Sequence, residues 1–263
     1  MTHWSLVDVA EHIAALRAEG ELMAGAVAGA GPGAAVPTCP EWAVRDLVRH
    51  IGGVHRWATG YVAGGRTEVW DVGLDEVVGT WPDDTELADW LRRGCTGLAD
   101  ALAAAPPDLA CWTFLRAPSP LAMWARRQAH ETAVHRVDAE LAAGTGLSPF
   151  AAPFAADGVD ELLSCFVPRR STALRSETPA SLAVRCTDAA ADRAWLLRIE
   201  SDGVRTDAAP DADAQARADC SVRGAAGDLY LALWNRTGAE ALVVEGDRGV
   251  LGLFLDQVQV RWA

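Results

Sequence analysis

Residues 119–144 read SPLAMWARRQAHETAVHRVDAELAAG. Ser119 is a helix N-cap residue, Pro120 takes the first helical position, where its missing N–H costs nothing, and Gly144 stands just past the end. The stretch between them is therefore expected to be one long helix. Glu131 and His135 lie four residues apart on it, so their side chains stack on one face, a turn apart, within reach of a single metal ion. The same stripe adds Trp124 a heptad upstream, as an apolar wall, and Asp138 downstream of His135, as an acceptor for the imidazole. Spacing alone fits a solvated Glu/His pair on an outer face equally well, so the pair takes its meaning from the rest of the chain.

Three more helices are expected upstream. The first runs from about Leu6 to Val27 on the apolar stripe Leu6, Val9, Ile13, Leu16, Met23 and Val27, with Ser5 and Asp8 as a capping box. A tight loop, AGAGPGAAVPTCPEW, then leads to a second helix from about Val44 to Trp57. His50 sits in its middle, Trp57 shares the His50 face seven residues on, and Asp46, four residues earlier, is placed to bond the His50 ring. A lone histidine on such a helix is more often structural than a ligand, and His55, five residues on, points elsewhere. The third helix, about Thr85 to Ala105, is stopped by Pro106-Pro107. Four amphipathic helices within residues 1–148 predict a four-helix bundle, whose interior is a natural place for a metal.

The pattern changes over residues 149–263, where no histidine occurs. SPFAAPFAADGVDELLSCF reads as a linker entering a short helix. Alternation at Leu182, Val184 and Cys186, and again at Trp195, Leu197 and Ile199 after a turn around DAAAD, predicts two strands. A helix from Asp228 to Trp234, a strand from Leu242 to Glu245 and a last helix from about Gly249 to Val258 complete a small α+β domain. It carries no phosphate loop, metal cluster or nucleophile motif.

Composition narrows the function. The 263 residues carry a net charge of −13, which argues against nucleic acid or an anionic membrane as partner. No apolar run nears the roughly 20 residues that cross a bilayer, and MTHWSLVDVAEH lacks a basic stretch before an apolar core, so a cytoplasmic location is expected. The six cysteines form no C-x-x-C pair, which excludes a zinc ribbon and a thioredoxin motif and leaves reduced, buried thiols. All the positive charge is arginine. Without lysine there is no Schiff-base, pyridoxal-phosphate or Walker A chemistry, and the arginine, alanine and glycine bias is that of a GC-rich bacterial coding sequence.

The segments PTCPEWAVRDLVRHIGG, RRQAHETAVHRVDAE, AADGVDELL and VRGAAGDLYLALWNR, the last followed by VEGD, resemble those of the mycothiol-dependent maleylpyruvate isomerases. That family joins a DinB/YfiT-like metal-binding four-helix bundle to a sterol-carrier-like α+β domain. The resemblance implies that a divalent metal, most often zinc, is held by His50, Glu131 and His135, with an open coordination position for the sulfur of mycothiol, an actinobacterial thiol. It implies a metal-bound thiolate as nucleophile, with none from the protein: the thiolate adds to the double bond of an enoyl diacid, the temporary single bond rotates, and elimination gives the trans product. Related bundles transfer the thiol to other electrophiles, so a mycothiol S-transferase is an alternative, as is a non-catalytic metal- or ligand-binding protein. Arg127 and Arg236 are candidates to hold a substrate carboxylate, or to form salt bridges, and Trp57 and Trp124 either line the pocket or fill the bundle. Ala43 replaces the usual Ser or Thr cap, a loss of about 1 kcal/mol.

Overall fold

The structure, a computed structural model, describes residues 7–188 and 193–260. The chain divides into two compact units, Met1–Ser148 and Pro149–Ala263.

In the first unit helix α1 spans Val9–Ala30. It begins later than the apolar stripe suggests because Asp8 caps it: the Glu11 N–H donates to Asp8 and the Asp8 N–H to the Glu11 carboxylate, both at 2.8 Å. Ser5 and Leu6 lie outside the described residues. Helix α2 spans Val44–Gly64 and ends at Gly65 in the left-handed conformation, a full heptad beyond the expected stop at Trp57. Gly60 does not break it, because the missing Cβ makes room for Trp70: a Cβ there would lie 2.5 Å from the ring. The Trp70 N–H in turn donates to the Tyr61 hydroxyl, folding the following loop back on the helix.

A short helix α3, Leu74–Val78, escapes sequence reading because five residues carry too little periodicity. Helix α4, Leu87–Ala104, follows a 3₁₀ turn at Asp84–Glu86. Helix α5, Pro120–Ala143, has the expected ends, with the Ser119 hydroxyl accepting from the Ala122 N–H and Gly144 left-handed at φ 65°. Each of the four long helices packs against two others: α1 on α4 and α5, and α2 likewise. Met23, Leu47, Val48, Ile51 and Leu91 fill the core between them. A buried ion network locks α1 to α5, in which Arg136 donates to Glu19 at 2.8 Å and to Glu140 at 2.7 Å.

The second unit opens with α6, Ala152–Asp160, which runs on as a π-helical segment over Glu161–Phe166. The sheet has five strands in the order β3-β2-β1-β4-β5: β1 Ala180–Cys186, β2 Ala194–Glu200, β3 Gly203–Asp207, β4 Cys220–Gly224 and β5 Val243–Gly246. β1 and β4 are parallel, and the other pairs antiparallel. Leu182 faces Leu197 and Val184 faces Trp195, so the two expected alternating runs pair directly and turn one apolar face to the core. The connecting DAAAD turn lies partly outside the described residues. Short helix α7, Ala212–Ala216, precedes β4; α8, Ala226–Leu233, and α9, Arg248–Gln257, complete the unit. Trp195 donates to Asp160 at 2.8 Å, joining sheet to α6.

Candidate metal centre

Helices α2 and α5 meet where His50 faces Glu131 and His135. One ligand atom from each of the three lies within 4.8 Å of the others. His50 Nε2 stands 3.8 Å from Glu131 Oε1, and the two imidazoles meet edge to face with centroids 5.1 Å apart. Tetrahedral zinc with bonds near 2.0–2.2 Å spaces its ligands by roughly 3.4 Å, so a small inward shift would close the set on a cation.

Hydrogen bonding points the same way. His50 Nε2 and Glu131 Oε1 are buried, and neither has a hydrogen-bond partner among the described residues. Buried lone pairs are rarely left unsatisfied, and two aimed at one spot fit a cation between them. The remaining atoms of the ligands are held from behind. Glu131 Oε2 accepts from Gln128 at 3.2 Å and lies 3.7 Å from the Arg127 guanidinium, which leaves Oε1 for the centre. His135 Nδ1 lies 2.8 Å from Asp138, whose carboxylate can only accept, so Nδ1 carries the proton and Nε2 is the nitrogen that would coordinate. Asp138 is itself fully buried, and its other oxygen accepts the Thr38 hydroxyl at 2.5 Å.

Thr38 comes from the loop between α1 and α2, which is closed by the Val36 N–H donating to Trp42 and the Ala35–Ala43 bridge. The same loop sets the Trp42 ring 5.1 Å from His50 and 6.3 Å from His135, an apolar wall over both imidazoles. Burial alone would push the Glu131 carboxyl up. The His50 ring, Arg127 and His135 outweigh it and hold the group below the usual carboxylate range, ionised as a metal ligand must be.

The remaining expected residues are placed as follows. Asp46 Oδ2 accepts the Ala43 N–H at 2.9 Å, supplying at the start of α2 half of the capping that Ala43 lacks. Arg127 is almost fully buried behind Glu131. Trp124 is fully buried, donates to the Trp112 carbonyl at 2.9 Å, and meets Trp57 at 5.3 Å in a cluster with Tyr61 and Phe114. Arg236 lies in the second unit, where it donates to the Trp234 carbonyl. His55, set aside in the sequence, packs beside the centre with Nε2 2.8 Å from Thr132 Oγ1, and burial drives its pKa down to about 3.

The first unit is a helical bundle carrying a candidate metal centre of three residues, and the second is a small α+β domain. The family model described as the mycothiol maleylpyruvate isomerase N-terminal domain matches residues 13–140, and that of the MDMPI C-terminal domain matches residues 153–253. The chain belongs to the mycothiol-dependent maleylpyruvate isomerase family. The crystal structure of the mycothiol-dependent maleylpyruvate isomerase shares the fold, with a TM-score of 0.59 at 13% identity over 91% of this chain and 93% of that one. A histidine-to-alanine variant of that enzyme gives 0.60 at 12% identity over the same shares. No curated protein sequence matches the chain.

Proposed function

We propose that the protein is a mycothiol-dependent isomerase of the cytoplasm, using a divalent metal, zinc above all, at His50, Glu131 and His135. The observation that carries this reading is the pair of buried, unpartnered ligand atoms on His50 and Glu131, in a chain of this family. A cation bound there would favour the thiolate of a thiol at its open position, making the nucleophile available near neutral pH. The chain's own residues orient and shield. Asp138 fixes the tautomer of His135, Gln128 and Arg127 turn Glu131 inward, and Trp42 screens the imidazoles from water.

Four of the protein's six thiols are poor candidates for the nucleophile. None of the six cysteines forms a disulfide; burial pushes Cys95 and Cys186 up to about 12 and raises Cys111 and Cys220 as well. A cosubstrate thiol fits this pattern. In the reaction the thiolate sulfur bonds to one carbon of the electrophile's double bond, rotation follows, and elimination breaks the same carbon–sulfur bond and returns the thiolate.

The test is incubation of zinc-loaded protein with maleylpyruvate and substoichiometric mycothiol, followed by proton NMR. Many turnovers to the trans isomer per mycothiol are expected. Consumption of mycothiol into a stable thioether would replace the isomerase by an S-transferase, and inertness with every electrophile tried would leave a binding protein.

A further inference from the structure

Among the described residues, a polar concavity lies wholly within the second unit, whose sequence contains no histidine. It is a cavity of about 120 Å³ between the β2–β3 turn and the segment that follows the π-helical stretch. Arg169, Arg170, Arg175 and Arg205 line it, against one carboxylate, Asp202. The whole chain has 36 acidic residues to 23 basic ones, so this is a local reversal of the molecule's charge.

The four guanidiniums are not equally free. Arg205 is matched by Glu200 at 2.9 Å and Asp202 at 3.6 Å. Arg169, Arg170 and Arg175 form no ion pair with a described residue. Arg175 is nonetheless fixed, since it donates to the Leu174 carbonyl at 2.6 Å and to the Arg170 carbonyl at 3.4 Å. It rests beside Gly203, where a Cβ would come within 3.8 Å of its central carbon and where φ of 149° favours glycine. A half-buried guanidinium held by neutral carbonyls keeps its charge uncompensated and pays little ordering entropy when it meets an anion.

We propose that this cavity binds a small multivalent oxyanion, a phosphate or dicarboxylate held by Arg169, Arg170 and Arg175. Guanidinium forks match the paired oxygens of both groups, and a concave site with an excess of positive charge concentrates the field. The volume is below the range of cavities that enclose drug-sized ligands, which limits the ligand to a group of this size.

The test is calorimetric titration of the full chain carrying His50→Ala, which removes one proposed ligand of the metal centre, with inorganic phosphate and with succinate, using chloride as the ionic control. Saturable binding of one anion per chain is expected, weakening as salt rises. Arg170→Gln, whose side chain has no partner among the described residues, and Arg175→Gln should each weaken it by about ten- to a hundredfold. Arg17→Gln, a surface arginine paired with Asp100, should leave it unchanged. Tighter binding of phosphate or of succinate identifies the source of the oxyanion. Absence of saturable binding for both, or binding that survives Arg170→Gln and Arg175→Gln, overturns the proposal.

Discussion

Replacing Asp138 with Asn tests the reasoning that places the metal. The carboxylate is fully buried and both oxygens are engaged, one by His135 Nδ1 at 2.8 Å and the other by the Thr38 hydroxyl at 2.5 Å. An amide retains one acceptor. If its NH₂ turns to His135, the imidazole must accept at Nδ1 and carry its proton on Nε2, the wrong tautomer for a ligand. If its oxygen stays on His135, the Thr38 hydroxyl must rotate to accept, and the negative charge that strengthens the imidazole as a donor is gone. Loss of such a partner costs about 10–100-fold in metal affinity. That corresponds to about 1.4–2.7 kcal/mol. The assay is zinc titration against a competing chelator, with circular dichroism as the fold control. Thr38→Val should show the same loss to a smaller degree. An Asp138→Asn protein that is folded and binds zinc within twofold of the parent would refute the role given to Asp138.

The remaining predictions concern stability. His55 takes its proton at about pH 3 in the fold against 6.5 when exposed, so the unfolded chain binds a proton that the folded one refuses between those values. Stability should therefore fall as pH drops through this window, by about 2 kcal/mol from pH 6.5 to 5, and His55→Asn should remove that part of the slope in urea titrations. Arg136→Met would leave Glu19 and Glu140 buried without their cation, and denaturant midpoints should report a loss of about 3–5 kcal/mol. Gly52→Ala would place a Cβ 2.1 Å from the Trp90 ring, which Arg56 pins from 3.7 Å, and should destabilise by about 1–3 kcal/mol in spite of alanine's helix propensity.

Local signals made much of the fold legible. Helix α5 could be read at both ends because Ser119, Pro120 and Gly144 each act on the nearest turn. The start of α1 was misplaced because the apolar stripe extends past the cap, while the Asp8–Glu11 pair, which satisfies two backbone donors at once, sets the first turn at Val9. Strands β3 and β4, GVRTD and CSVRG, went unread: they are short and carry small or charged residues. β4 owes its place to a parallel pairing with β1 across a long connection, which no local pattern encodes. The same limit applies at the site. Asp138 follows from helical spacing, but Thr38, which holds it, is 100 residues away in sequence. Asp46 has the right spacing for His50, yet near a helix start the unsatisfied backbone N–H groups claim a carboxylate first.

The most direct test of the central claim is the visible spectrum of cobalt-substituted protein during titration with mycothiol. The account predicts one cobalt per chain, lost in His50→Ala and His135→Ala, and a sulfur-to-cobalt charge-transfer band that saturates with one thiol. Cobalt bound at full occupancy in both variants, or a spectrum that does not respond to the thiol, would contradict it.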